Sequence, residues 1–359
     1  MKSERIEKII KKMKEESLDQ IIISDPYSIF YLTGKYISPG ERLLALYLND
    51  KNEAKLFVNE LFPQEDLMDL DIVYYNDVDD GVEIMSRFME DGHTIGIDKK
   101  WPSMFLLRLQ EIFPEKTYIN GSYIVDEVRK IKDEEERELM RESSRINDKV
   151  MSEIIPFVSK GLTEEELSDK LKEIYKKHGA SNFSFRPITA YGKNGADPHH
   201  FTDDSKGKPG DSVVLDIGGI YKGYCSDMTR TVFIGEASDL QREVYEIVKE
   251  ANLRGIAMAK AGNKMSDVDK AARDYIEKMG YGDYFTHRTG HSIGIETHEA
   301  GDVSSANDDI IKPGQIFSVE PGIYLADQGF GVRIEDLVLV TEDGNEVLNS
   351  YTKDLLIID

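Results

Sequence analysis

The chain has 359 residues, 40% of them apolar, and a formal net charge of −23. That length is enough for two domains, each with its own core, and the negative balance opposes binding to nucleic acid or anionic membrane surfaces, which need basic patches. No apolar run approaches the ~20 residues of a membrane span, the charged start MKSERIEKIIKKMKEE lacks a secretory signal's apolar stretch, and the single cysteine, Cys225, leaves no disulfide framework, so the expected location is the cytoplasm.

Ile6, Ile9, Ile10 and Met13 recur at helical spacing and predict an opening amphipathic helix. Strands are predicted at 20–24, 43–48, 55–58, 72–75 and 94–97, with helices around 82–89 and 102–112. Mixed strands and helices of this kind make an α/β domain, and no phosphate-cradling glycine motif interrupts it. The charge run KIKDEEER at 130–137 reads as a solvated helix start and marks a boundary between a domain at 1–128 and another at 129–359. Beyond it, Leu139, Ile146, Val150 and Ile154 predict a long amphipathic helix. Thr163 and Glu166 form a capping-box pattern for the next, with Leu167, Leu171 and Ile174 on its buried face. Strands are predicted at 213–217 and 231–234, helices at 238–260 and 265–278, and strands and turns thereafter.

One pattern occurs twice. Lys208-Pro209-Gly210-Asp211 leads into a short apolar strand ending at Asp216, and Lys312-Pro313-Gly314-Gln315 leads into another ending at Glu320. Pro-Gly makes the turn. A second acid follows each, Asp227 and Glu335, so two half-domains could each bring a pair of carboxylates to one cavity. All four acids sit in apolar surroundings (VVLDIGG, YCSDMTRTV, IFSVEPG, VRIEDLVLV), where an ionised carboxylate is costly without a partner. Arg230 and Arg333, the nearest cations in sequence, are too few for four acids, and two divalent cations would supply the balance. Five of the seven histidines fall in two clusters: His199 and His200, then His287, His291 and His298 within HRTGHSIGIETHE, where Gly290 and Gly294 allow close backbone packing.

These motifs resemble those of the pita-bread metallopeptidases, which include prolidase, aminopeptidase P and methionine aminopeptidase, and the resemblance spans essentially the whole chain. It implies a creatinase-like α/β N-terminal domain, 1–128, followed by an α+β pita-bread catalytic domain, 129–359, with an internal pseudo-twofold repeat. DIGGIYKGYCSDMTRT matches the family's paired-aspartate motif, TGHSIGIETHE its glycine-histidine motif, and SVEPGIY and GVRIEDLVLV its two glutamate motifs. The implied metal ligands are therefore Asp216, Asp227, His291, Glu320 and Glu335, with Asp227 and Glu335 bridging two ions. Manganese is the expected metal, with cobalt, iron or zinc as alternatives. His199, in ADPHHF, matches the family's first active-site histidine. His298 matches the histidine at the scissile group, His287 a substrate-pocket histidine, and Tyr324 a tyrosine near the substrate. Arg333 and Thr229 match groups that support the ligands. Ser292 replaces the family's commoner glycine, and a change of pocket shape could follow.

The stretch SDPYSIFYLTG resembles the N-terminal domain of prolidases, aminopeptidases P and creatinase, which methionine aminopeptidases generally lack. Creatinase lacks the metal ligands that this chain retains. The resemblance therefore implies hydrolysis of the Xaa-Pro bond at the N-terminus of short proline-containing peptides, by a homodimer. Glu320 would move the proton, and His298 would stabilise the oxyanion. A dipeptidase is favoured. The alternatives are aminopeptidase P action on longer peptides and, from a different class, non-catalytic peptide or protein binding on the same fold.

Overall fold

The apolar spacing at the start of the chain gives helix α1 (Ser3–Glu15), with Ile6, Ile9, Ile10 and Met13 all buried. The computed structural model describes residues 2–64, 67 and 70–359, and divides into two units, Met1–Arg129 and Lys130–Asp359. The first unit continues with β1 (Gln20–Ile23), α2 (Pro26–Thr33), β2 (Leu44–Asn49), β3 (Ala54–Asn59), β4 (Asp71–Tyr75), α3 (Gly81–Ser86), β5 (Thr94–Ile97), α4 (Ser103–Ile112), β6 (Thr117–Asn120) and α5 (Ser122–Lys130). Its strands form one mixed sheet in the order β4-β3-β2-β1-β5-β6.

Helix α2 was not expected from periodicity, because it is apolar nearly all round. Capping explains it. Pro26 presets the first turn, Asp25 accepts from the Ser28 amide at 3.0 Å, and Gly34, at φ +80°, closes the far end in a left-handed conformation.

The second unit comprises α6 (Glu134–Ile154), α7 (Glu164–Lys177), β7 (Asn182–Phe183), β8 (Ile188–Tyr191), β9 (Ser212–Ile217), β10 (Gly219–Tyr221), β11 (Tyr224–Cys225), β12 (Met228–Ile234), α8 (Asp239–Met258), α9 (Met265–Lys278), β13 (Gly290–His291), β14 (Asp302–Val303), β15 (Ile316–Val319), β16 (Gly322–Leu325), β17 (Phe330–Arg333), β18 (Asp336–Val340), β19 (Asn345–Val347) and β20 (Ile357–Ile358). Reciprocal capping boxes, Asp133 with Glu136 and Thr163 with Glu166, start α6 and α7. The charge run at 130–137 is not uniformly solvated. Lys132 is buried and pairs with Glu299 at 2.8 Å, because the chain there passes beneath the loop that carries the second histidine cluster.

The repeat seen in the sequence is structural. Each half supplies two helices and then an antiparallel strand pair: α6 and α7 with β9·β12, α8 and α9 with β15·β18. A small hairpin interrupts each pair, β10–β11 in the first half and β16–β17 in the second. The register shows how the two halves correspond. Asp216 lies opposite Thr229, and Val319 opposite Asp336, which sets Glu320 opposite Glu335. With the two Lys-Pro-Gly turns superposed, Glu335 therefore corresponds to Thr229, and Asp227 to Arg333. The second acids of the two halves are offset by one pleat repeat rather than equivalent.

The halves are joined through corresponding positions. Thr229 Oγ1 donates to Glu335 Oε2 at 2.8 Å, and Arg230 Nη2 meets Asp336 Oδ1 at 2.7 Å. Arg230 also donates to the Glu335 carbonyl at 2.6 Å, and Lys353 completes the shell of Asp336 at 2.6 Å. Arg230 and Asp336 are both buried, so removing one charge strands the other in a low dielectric. Asp336→Ala should cost about 3–5 kcal/mol of stability, read as a lower urea midpoint with an unchanged slope. A midpoint within error of the parent would show that the pair does not hold the halves together.

Candidate active site

The open ends of the two strand pairs face a cavity of about 510 Å³ whose wall includes Asp216, Asp227, Glu320 and Glu335. Local structure sets each one. Asp216 is the penultimate residue of β9, Asp227 directly precedes β12, Glu320 directly follows β15 and Glu335 directly precedes β18. Two helix asparagines hold the strand ends from behind. Asn147 of α6 donates to the Ile217 carbonyl at 3.0 Å, and Asn252 of α8 donates to the Val319 carbonyl at 2.8 Å. Neither was singled out in the sequence. The signal was there, since each is an amide inside a helix's apolar stripe.

His291 comes from β13, pressed against β15. A Cβ at Gly290 would lie 1.9 Å from the Ser318 carbonyl oxygen, so only glycine permits this approach. Ser318 Oγ accepts from the His291 amide at 3.0 Å and donates to Glu320 Oε1 at 3.2 Å. The imidazole Nδ1 lies 3.3 Å from the Ser292 carbonyl, which favours the Nδ1–H tautomer and leaves an Nε2 lone pair facing Glu320 at 3.4 Å and Asp227 at 3.7 Å. Burial, then the neighbouring His298, pushes the His291 pKa down to about 3, so the ring is neutral. Ser292 itself faces the backbone near Gly301 rather than the cavity wall.

The carboxylates are under-compensated. Burial first, then mutual repulsion, holds Asp227 and Glu335 well above the usual carboxylate range, and burial with the Asp216 charge pushes Glu320 up to about 7. Arg333 is hydrogen-bonded into the cluster. Its Nη2 donates to Asp216 Oδ2 at 2.6 Å, its Nε to Thr229 Oγ1 at 3.2 Å and its Nη1 to Tyr324 OH at 2.8 Å. Asp216 Oδ1, Asp227 Oδ1 and Glu335 Oε1 are buried without a hydrogen-bond partner. Donor atoms of Asp227, His291 and Glu335 lie within 4.8 Å of one another. Orphaned acid oxygens beside a neutral imidazole lone pair fit divalent cations, which would relieve the repulsion that raises these pKa values.

The other expected residues divide. His199 and His298 both line the cavity. The His298 ring packs edge-on to His291 at 4.1 Å between centroids. His287 also lines it, but both ring nitrogens are committed: Nδ1 to the Arg288 carbonyl at 2.7 Å and Nε2 to Tyr324 OH at 2.8 Å. Burial pushes its pKa down to about 4. Tyr324, expected at the substrate, stands behind the wall and links His287 to Arg333, because its hydroxyl is taken up by those two partners. His200 turns away from the cavity to Glu164 at 2.6 Å. Arg288, exposed and on the wall, was missed by the sequence reading although it adjoins His287.

Comparison with known proteins follows the same division. Residues 138–342 match metallopeptidase family M24, and residues 5–131 match the creatinase/prolidase N-terminal domain. The chain is 35% identical over 355 residues to the Xaa-Pro dipeptidase of Pyrococcus furiosus, covering 98% of this chain and 99% of that one. The prolidase structure from Thermococcus sibiricus superposes with a TM-score of 0.94 at 34% identity, over 100% of this chain and 99% of that one. An X-Pro aminopeptidase structure from Thermotoga maritima gives a TM-score of 0.85 at 30% identity, over 97% and 100%. Two domain matches in tandem and full-length similarity, added to a cavity of buried acids and histidines, establish that the chain belongs to metallopeptidase family M24, with a creatinase-type N-terminal domain ahead of a pita-bread catalytic domain.

Proposed function

We propose that this chain hydrolyses the Xaa-Pro bond at the N-terminus of dipeptides, with residues 129–359 as the catalytic domain. The observation that carries this reading is the convergence of four carboxylates, three of them buried, and His291 on one cavity, with three acid oxygens left without partners. Relatives named Xaa-Pro dipeptidase and prolidase, similar over the full length, support the bond specificity. The X-Pro aminopeptidase likeness supports the alternative, action on longer peptides. Asp216, Asp227, His291, Glu320 and Glu335 would hold two divalent ions, manganese by preference for an oxygen-rich set with one imidazole. When bound, such ions supply Lewis acidity to the scissile carbonyl and acidify water. A homodimer and a cytoplasmic location complete the reading, the latter supported by the single cysteine, Cys225, which leaves no disulfide within the chain.

The protein's own groups have separable roles in it. Glu320, on the wall and within 3.4 Å of His291, takes a proton at its carboxylate and returns it to the leaving nitrogen. A tertiary Xaa-Pro amide departs as a secondary amine, so that proton must come from the site. Burial, then the Arg288 charge, holds the His298 pKa below its ordinary value, so the ring is a neutral N–H donor for the oxyanion. Arg333 orients Asp216 and, through Tyr324, His287. His199 and the ring of His287 shape the substrate's side of the cavity.

Chelation should abolish activity, and manganese or cobalt should restore it. Full turnover by rigorously metal-free protein would overturn the proposed chemistry. His298→Ala should lower kcat by about 10²–10³-fold with metal content nearly unchanged, whereas His291→Ala should lower metal occupancy itself. Atomic absorption and kinetics on the same two samples separate these roles, and identical behaviour of the two variants would remove them. Proline's ring brings no amide N–H to bury and little entropy to lose. Met-Pro should therefore be cleaved at least about tenfold faster in kcat/KM than Met-Ala, a difference of only ~1.4 kcal/mol. N-acetylation should suppress both, since the anionic wall favours a free ammonium. Equal rates for the unblocked pair would sink proline specificity.

A further inference from the structure

Behind the cavity, one acid outside the proposed ligand set gathers donors from two directions. Glu164, the first residue of α7, is fully buried. Its Oε1 accepts from the Tyr191 amide and from Asn194 Nδ2, each at 2.9 Å. Its Oε2 accepts from His200 Nε2 at 2.6 Å and from the Asp203 amide at 3.0 Å. The backbone of the same residue is engaged as well: its amide donates to the Ser205 carbonyl at 3.0 Å, and its carbonyl accepts from Thr189 Oγ1 at 2.9 Å.

These partners lie on both stems of the segment 192–205. Tyr191 and Asn194 belong to the incoming stem, His200, Asp203 and Ser205 to the outgoing one. Between them the chain turns at Pro198 and His199, which enter the cavity wall. Local support at the tip comes from short-range bonds: the Asp197 amide to the Asn194 carbonyl at 3.1 Å, the His200 amide to the Asp197 carbonyl at 3.2 Å and the His199 amide to Asp197 Oδ1 at 2.9 Å. The adjacent histidines face opposite ways, His199 into the cavity and His200 onto Glu164. Donor atoms of Glu164, His200 and Asp203 lie close enough to surround a cation, but both Glu164 oxygens are already committed to N–H donors, so the cluster reads as a clamp.

We propose that Glu164 is a positioning residue that fastens both stems of the 192–205 segment and thereby sets the place of His199 in the cavity. The inference rests on the peptidase reading through the part His199 plays in it. The physical requirement is strict, because a displacement of about 1 Å at a reacting group can cost about 10²-fold in rate. Four donors converge on two oxygens, a number that only a carboxylate satisfies. Glutamine at this position offers one oxygen and turns an NH₂ group toward two of the donors, which releases one stem.

The test is a double-mutant cycle on the full-length protein with Met-Pro as substrate. Glu164→Gln should lower kcat/KM by roughly 10- to 100-fold while metal content stays at the parent level. In a His199→Ala background the same substitution should change kcat/KM by less than about twofold, since the group it positions is gone. Equal losses in both backgrounds, or no loss in the first, would overturn the proposal. Should Glu164→Gln not fold, His200→Ala removes one arm of the clamp, and its smaller loss should vanish in the same background. A loss that persists there would count against the inference. Amide hydrogen exchange at Tyr191 and Asp203 gives an arm independent of catalysis, in which Glu164→Gln should accelerate the amide of the released stem and unchanged protection at both would refute the clamp. A parent protein inactive on every Xaa-Pro substrate would instead refute the peptidase reading, with the exchange arm still deciding whether Glu164 holds the segment.

Discussion

Four carboxylates share one cavity, and burial with the charge of neighbouring acids makes Asp227, Glu320 and Glu335 harder to ionise. Burial and mutual repulsion together hold Asp227 and Glu335 far above their ordinary range and lift Glu320 to about 7. A cluster of this kind is unfavourable for folding unless positive charge is supplied. Arg333 supplies some, to Asp216. The remaining deficit, together with the orphaned oxygens of Asp216, Asp227 and Glu335, is the constraint around which the second unit is organised. Folding alone gains nothing from packing these charges together.

The frame that keeps the acids together is nearly symmetric. Two helix pairs carry two strand pairs, a buried asparagine from each half holds a strand-end carbonyl, and corresponding residues of the two halves bond to each other. The chemistry placed on this frame is not symmetric. Asp227 in one half stands where the other carries Arg333, so an acid in one position corresponds to the cation that steadies Asp216. His291 enters only from the second half, through the close approach that Gly290 allows. His199 enters only from the first, on a loop tied down by Glu164. From Arg333 a polar chain runs through Tyr324 to His287, whose neutral ring spends both nitrogens inside the protein.

Much of this was legible before any coordinates. The periodicities located α1, α6 and α7, and the capping patterns at Thr163 and Glu166 marked a true helix start. The paired Lys-Pro-Gly turns announced the repeat. Acids in apolar strands, histidines in tight clusters and the glycine at 290 were each conspicuous because each is costly or sterically special where it stands. Helix α2 was not legible, since capping rather than amphipathicity defines it, and neither was the burial of Lys132 inside a run of charges.

The sequence by itself determined the donor types, the two half-domains and the family pattern, because composition and spacing are local properties that the chain carries whether folded or not. The tertiary structure decided everything that depends on register and orientation. It bonded Glu335 to Thr229 beside Asp227, moved Tyr324 behind the wall and turned His199 and His200 to opposite sides of one loop. It also brought Arg288 to the cavity and gave Glu164 four partners spread along the loop from Tyr191 to Asp203. The reason is geometric. A side chain's neighbours across strands are fixed by pairing and pleat, and a shift of one residue would exchange cavity for core along a whole strand. That information exists only once the strands have met.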